Sequence, residues 1–406
     1  MCLVRLLAAS LVVGCGSAPD NSAASLAGLA GLEWRAAQDV ARPADAFPSD
    51  FAAATVSSEP GRPGHPSHFP GQSTIADVTV RDGRLVAVGY VGWEWRPVAW
   101  TSLDGDRWTL VEMGRVAPTE PGFAVAVVSA PGGFVAVGRS ARRPIAWTAT
   151  DGSAWASRDV PIVDAADSWS RMTTVASGPL GILAGGSVGP ELLERTARFW
   201  RSTDGVTWTA VADDRAFAGA EVSAILPVDN GWLAVGRLGT GQRSTASVAW
   251  RSPDGERWTR VDDPALTKGL VRSLVRAGDG SIVAVGSEAD EIGAYVWRST
   301  DEGRSWVLEP EEASRTHFGR KIRMTDVIAT PDGLLAVGNL VEVQFGTGVT
   351  WLSSDAVHWQ KSPNQPAMGQ VEPSAVVTFE DRYVMVGTFG APDNYIPRAW
   401  LSPPGP

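Results

Sequence analysis

Phe134-Val-Ala-Val-Gly138-Arg-Ser-Ala-Arg-Arg-Pro144-Ile-Ala-Trp147-Thr-Ala149-Thr-Asp151-Gly152-Ser-Ala-Trp155 holds every element of a pattern that recurs along this chain. It reads as a short apolar strand ending in Gly, a loop, a strand carrying a Trp, a tight turn and a second Trp. The strand-end glycines are Gly89, Gly138, Gly186, Gly236, Gly286, Gly338 and Gly387, with steps of 49, 48, 50, 50, 52 and 49 residues. The first Trp set is Trp100, Trp147, Trp200, Trp250, Trp297, Trp351 and Trp400. The second is Trp108, Trp155, Trp208, Trp258, Trp306 and Trp359, and it stops at six, because the sequence ends where a seventh partner would begin. Trp34, in Gly31-Leu-Glu-Trp-Arg-Ala-Ala-Gln38, has the right character for the missing member.

Each repeat divides into four short strands. In the second, these are Phe123 to Val128, Phe134 to Gly138, Pro144 to Trp147 and Ala154 to Ser157. Asp82-Gly83, Asn230-Gly231, Asp279-Gly280 and Asp332-Gly333 separate first and second strands, as short hairpins prefer. Runs such as Leu85-Val-Ala-Val88 are continuously apolar, which suits strands buried on both faces. A period near 50 could also come from stacked helices, but β-branched runs and frequent glycines oppose helix. Four-stranded units at this period are propeller blades. The expected fold is therefore all-β, a seven-bladed β-propeller of four-stranded blades. Its last blade, with strands near 374–379, 383–387 and 398–402, is completed by the segment around Trp34. Pairing the two ends removes an open sheet edge. The Pro-rich stretch 41–72 is an insert that returns the chain from rim to hub, and Phe47, Phe51 and Phe69 suit packing on the propeller.

At 406 residues and 44% hydrophobic content the chain is long enough for a large core. Repeats packing only on neighbours avoid the usual split into domains. Thirty-five basic and 45 acidic residues give a net charge of −10, which argues against nucleic acid as a partner. Three of the basic residues are Lys (Lys268, Lys321 and Lys361), a bias that reads as a GC-rich genome. Both cysteines, Cys2 and Cys15, lie in an apolar opening with one positive charge, Arg5. This segment is too short for a membrane-spanning helix and reads as a secretion signal. Val12-Val13-Gly14-Cys15 resembles the lipobox of bacterial lipoproteins, which implies lipidation of Cys15, cleavage of 1–14 and a tether over 15–30. The alternative is an ordinary signal peptide or a misassigned start. Cleavage would remove Arg5 and no acid, taking the net charge from −10 to −11, and would leave no thiol pair. The expected location is extracytoplasmic, with the propeller (31–406) a monomer held at the membrane through Cys15.

Between the two Trp of each blade lies a recurring turn: Ser102-Leu-Asp104-Gly105, Ala149-Thr-Asp151-Gly152, Ser202-Thr-Asp204-Gly205 and Ser252-Pro-Asp254-Gly255. The fifth copy, Ser299-Thr-Asp-Glu-Gly-Arg-Ser-Trp306, fits S-x-D-x-G-x-x-W. This resembles the Asp-box, or bacterial neuraminidase repeat, of a propeller superfamily that includes sialidases and sortilin-type receptors. The resemblance covers 74–402. Four copies are one residue short, the sixth has Ala356 for Gly, and Ser402-Pro-Pro-Gly-Pro406 has no Asp, so no subfamily is assigned. The turn aspartates and Trp sets read as structural, and metal binding by Asp104 and Asp106 is the lesser alternative.

Function is sought on the opposite face, where loops between second and third strands vary: strand-end Gly to first Trp takes 11, 9, 14, 14, 11, 13 and 13 residues. Trp93, Glu94, Trp95 and Arg96 in one such loop, Trp169 between blades, and Tyr395 in a long loop are the candidate ligand contacts. A Trp pair beside a carboxylate and an Arg suits sugar stacking, and equally suits loop packing. The resemblance implies that a sialidase would need three Arg, a carboxylic acid and a Tyr nucleophile supported by Glu. The Arg-Ile-Pro signature is absent, and no Glu adjoins Tyr395 in sequence. No G-x-S-x-G, phosphate loop or dinucleotide fingerprint is present, and His65 and His68 in a Pro-rich loop are weak evidence for metal. No catalytic residue, metal or cofactor is assigned. The expected function is a non-catalytic scaffold binding a protein or glycan, and the alternative is a carbohydrate-active enzyme using the same face.

Overall fold

The computed structural model describes residues 32–41, 73–92, 95–114, 120–162, 169–189, 195–212, 215–239, 244, 246–309, 321–342, 345–390 and 395–405. They form seven sheets, each with four antiparallel strands that follow chain order from the innermost outward, except that the amino-terminal segment supplies the outermost strands of blades seven and one. The innermost strands touch in succession, and the last, Val371–Phe379, meets the first, Ser73–Arg81. This closed ring is a seven-bladed β-propeller. Blades one to six occupy 73–112, 122–159, 169–210, 220–261, 269–308 and 321–361, and blade seven has its inner strands at 371–401. The signal segment, the tether and all of the Pro-rich insert except Ala41 lie outside the described residues.

Why glycine recurs about every 50 residues is steric. Each innermost strand carries a β-bulge opposite the strand-end Gly of its neighbour, as between Ile75 and Asp77 or Met172 and Thr174. The bulge pushes a carbonyl toward that glycine. A Cβ on any of the seven would lie no more than 2.5 Å from a backbone oxygen, that of Arg171 for Gly186 and of Glu221 for Gly236. Bulges add local twist, which suits strands converging on an axis. In four blades the residue left unpaired by the bulge carries a hydroxyl that links it to the next blade. Thr173 donates its hydroxyl to Val222 O (2.6 Å), Ser223 to Val271 O (3.0 Å), Thr325 to Pro373 O (3.0 Å) and Ser374 to Ile75 O (2.7 Å), each on the next innermost strand.

The two Trp sets hold the blades apart and together. The first set is almost wholly buried. In six of its seven members Nε1 donates to a carbonyl in the connection entering that blade, such as Gly114 O for Trp147 and Ala216 O for Trp250. In the second set, Trp108, Trp155, Trp208 and Trp258 donate to the carbonyl of their own turn glycine. The turn aspartates act as backbone caps: Asp204 accepts from Val206 and Thr207 N–H, both at 2.8 Å. Those bonds hold its carboxyl below the usual range. Blade two shows the cost of counting strands from Trp alone, since its turn runs on and the outermost strand is Ala156–Asp159.

Closure is as expected. Arg35–Ala36 pairs antiparallel with Ile396–Leu401, Arg35 opposite Leu401 and Ala36 opposite Trp400. Trp34 is buried in the same cluster as Trp400, and its backbone N–H donates to Gln365 Oε1 (2.7 Å). The segment then does more than close blade seven. Asp39–Val40 joins the outer strand of blade one, Arg107–Glu112, as a parallel fifth strand. Asp106 fastens this clasp, accepting both guanidinium N–H groups of Arg35 (2.8 and 3.2 Å) and Gln38 N–H (2.9 Å). Both carboxylates weighed above as metal ligands are committed to structure, Asp104 to its turn and Asp106 to the clasp. Among the described residues no cluster of His, Cys, Asp and Glu could hold a metal, and no helix is long and apolar enough to cross a membrane.

Candidate functional site

One face of the ring carries the hairpin and Asp turns. The other, the upper face, carries the loops between second and third strands, and these lean onto the following blade. Four loop carbonyls accept an N–H at the start of the next innermost strand: Trp95 O from Gly122 (2.6 Å), Arg142 O from Ser170 (2.9 Å), Glu291 O from Ile322 (2.6 Å) and Tyr395 O from Ser73 (2.9 Å). Two sequence candidates, Trp95 and Tyr395, therefore occupy equivalent positions. Trp95 adopts a φ of 45° and Glu291 one of 63°, a region where bulky residues are uncommon. The backbone bonds hold both side chains in place over the neighbouring blade.

Trp95 is exposed and meets Phe123 of blade two, with ring centroids 5.0 Å apart. Tyr90 contacts the same ring at 4.9 Å. The Arg139 guanidinium lies 4.1 Å from the Phe123 centroid and 5.1 Å from that of Trp169, and the Arg142 guanidinium lies 5.3 Å from that of Trp169. The result is a ladder of rings and guanidinium planes crossing three blades, a surface on which the apolar faces of a sugar can stack. Arg96 begins the third strand of blade one, half-buried, and Trp93 and Glu94 lie outside the described residues. Phe123, Arg139 and Arg142 complete what sequence reading began. Arg139 and Arg142 lie between Gly138 and Trp147 in the stretch quoted at the outset, whereas Phe123 reads from sequence as the start of a strand.

Blades three to seven carry a second array. Glu221, at the start of the blade-four inner strand, accepts from Arg171 Nε (2.7 Å) and Nη2, Ser187 Oγ (2.6 Å), Arg195 (3.1 Å) and Arg237 (3.2 Å). Burial pushes its carboxyl up, but the Arg171, Arg237 and Arg195 charges and the Ser187 hydroxyl outweigh this and hold it below the usual range. Farther round, Glu291 Oε1 bridges Arg272 (2.7 Å) and Arg323 (3.3 Å), with Lys321 3.5 Å from its other oxygen. Arg272 is the bulge residue of blade five, and burial with the Arg323 and Arg237 charges brings it down to about 10, still cationic at neutral pH. Arg323 also donates to Asn339 Oδ1 (2.9 Å) and lies 3.9 Å from Glu372. Glu372 accepts the Tyr395 hydroxyl at 3.0 Å. So Tyr395 has the Glu partner that its sequence neighbourhood lacks, supplied by the innermost strand of its own blade.

Two further carboxylates sit on innermost strands. Asp77 accepts Val127 N–H and Val78 N–H, both at 2.8 Å, and Asp326 accepts Ser273 Oγ (2.7 Å) and Val376 N–H (2.9 Å). They tie adjacent blades. Burial, aided by the Asp326 charge, pushes Asp77 up to about 7 despite its N–H bonds. Two hollows of about 400 and 420 Å³ lie on the turn face. The first is lined by Asp279, Asp332 and Asp355, of which Asp279 is bonded to Ser281 and Arg298 and Asp355 to His358; the second is lined by Arg251 and Arg304 and by no carboxylate.

No protein-family model matches the sequence, and no curated protein matches it. Solved structures do share its fold. PorZ of Porphyromonas gingivalis is 14% identical, covering 82% of this chain and 47% of that one, with a TM-score of 0.52. A polysaccharide lyase, ulvan lyase, is 11% identical, covering 79% and 90%, with a TM-score of 0.50. Trypanosoma rangeli sialidase is 13% identical, covering 82% and 54%, with a TM-score of 0.48. The chain spans about half the length of PorZ and of the sialidase. At such identities the likeness is one of fold alone, that of a β-propeller.

Proposed function

We propose that this chain is a non-catalytic, lipid-anchored propeller outside the cell whose upper face binds a glycan across the Trp95–Phe123–Arg139–Trp169 ladder. The carrying observation is that ladder, in which Trp95 meets Phe123 directly and the Arg139 guanidinium bridges Phe123 and Trp169, joining rings from three blades. The anchor rests on the lipobox-like Val12-Val13-Gly14-Cys15 and the small polar tether behind it. The Asp-capped turns support membership of the Asp-box propeller superfamily. PorZ, described as a surface component of a secretion system, and ulvan lyase, a polysaccharide lyase, share the fold, so the fold is compatible with a surface role and with carbohydrate chemistry alike.

Glycan-array binding by the purified protein tests the ladder. Trp169→Ala should remove the signal, and an unchanged array profile in that variant defeats the reading. Cys15→Ala should release the protein from membranes, and retention there defeats the anchor. One observation favours the enzymatic alternative: the Tyr395–Glu372 pair at 3.0 Å beside Arg323. Turnover of aryl glycosides that vanishes in Tyr395→Phe would establish that alternative instead.

A further inference from the structure

We infer that the upper face selects an acidic glycan, through the cationic arc from Arg171 to Arg323. This rests on the glycan reading above and adds the charge class of the ligand. In the arc, Arg171, Arg195, Arg237, Arg272, Arg323 and Lys321 surround Glu221, Glu291 and Glu372, so six cations face three carboxylates. The chain as a whole carries −10. A local excess of positive charge is therefore set against the global balance, and a polyanion held elsewhere on the surface would be repelled.

Depth decides which sign the face presents. The Glu221 and Glu291 side chains are 5% and 16% exposed, whereas the five arginines are 21–32% exposed and Lys321 57%. Glu221 and Glu291 lie beneath and fix the guanidinium groups, while Glu372, 31% exposed, shares the surface with the cations. The Nε–H groups of Arg237 and Arg272 are buried without an acceptor among the described residues, so the arc holds more donors than its own carboxylates use. A guanidinium fork matches a carboxylate or a sulfate ester through two parallel hydrogen bonds, and both chemistries occur on acidic polysaccharides. The arc joins the ladder on one strand, since Trp169 and Arg171 lie two residues apart in blade three. A chain stacked on the ladder thus continues onto the cations.

The test is affinity electrophoresis of the full chain in gels containing polygalacturonate, dextran sulfate or neutral dextran, over 50–500 mM salt. Retardation by one or both acidic polymers, at least tenfold stronger than by dextran and fading as salt rises, is expected; which of the two binds tells uronate from sulfate ester. Arg272→Gln should weaken it about tenfold. Lys321→Glu, at an exposed position that leaves the blade intact, should weaken it several-fold. Equal retardation by dextran, or acidic-polymer binding unchanged in both variants, overturns the inference. Equal retention by poly-glutamate would assign the arc to an acidic protein and also overturn it. Loss of dextran binding in Trp169→Ala with no acidic preference would leave the ladder standing and remove the arc. Acidic binding lost in Lys321→Glu but kept in Trp169→Ala would do the reverse.

Discussion

Replacing Trp34 by Ala tests whether the amino-terminal segment closes the ring as tightly as an ordinary blade. Trp34 is 4% exposed, and its counterpart Trp306 in blade five is 5% exposed. Neither indole N–H has a hydrogen-bond partner among the described residues, so the two positions compare burial with burial. A Trp buries roughly 150–250 Å², and at about 25 cal/mol/Å² this is a gross ~4–6 kcal/mol. Partial collapse of the surroundings brings Trp→Ala losses to about 3–5 kcal/mol. Urea unfolding should give that loss for both Trp34→Ala and Trp306→Ala. Trypsin offers a second readout, because Arg35 is held opposite Leu401 and bonded to Asp106. Native protein should resist cleavage after Arg35, and Trp34→Ala should be cut there, yielding a chain that begins at Ala36. A loss below about 1 kcal/mol for Trp34→Ala, with Arg35 still resistant while Trp306→Ala costs several, would show that the clasp is not a structural equal of the other blades.

Gly186→Ala should destabilise by about 3 kcal/mol or more, since its Cβ would overlap Arg171 O and nothing but backbone can move; an unfolding midpoint within error of the parent would refute the bulge argument. Glu221→Gln should cost about 3–5 kcal/mol at neutral pH by leaving three guanidinium groups without their shared anion. Because the Glu221 carboxyl is held low when folded, the native chain's share of this stability is present above the carboxylate range near 4.3 and lost as pH falls through it. Asp77 carries the opposite sign. Its folded value of about 7 favours the protonated form, so stability should decline by up to about 4 kcal/mol as pH rises from about 4 through 7. Chemical denaturation from pH 4.5 to 8 should show that decline, it should shrink in Asp77→Asn to the part left by Asp326, whose carboxyl burial also pushes up, and a flat or rising profile in the parent would contradict the burial of Asp77.

Much of the architecture is written locally, and so it is legible in one dimension. A bulge needs a glycine opposite it, a tight turn needs Asp and Gly, and a blade core needs its two Trp, so each repeat shows its geometry at a constant offset. The count of seven and the use of Trp34 to finish blade seven follow from the arithmetic of those offsets. The parallel strand Asp39–Val40 was not legible, because two residues carry no period and their partner, Arg107–Glu112, is chosen by where blade one lies.

The upper face divides along the same line. Sequence by itself determined which loops vary and that Trp95 and Tyr395 lie among them, whereas Trp169, read as lying between blades, begins the innermost strand of blade three. Only the tertiary structure brought Phe123 and Arg139 between the two Trp, gave Tyr395 its Glu372, and gathered arginines from blades three to six around Glu221 and Glu291. The physical reason is the ring. Residues about 50 positions apart, such as Arg171 and Glu221, become neighbours because adjacent blades set equivalent strand positions side by side. Their charges show no local pattern in the chain, and they acquire one only around the hub.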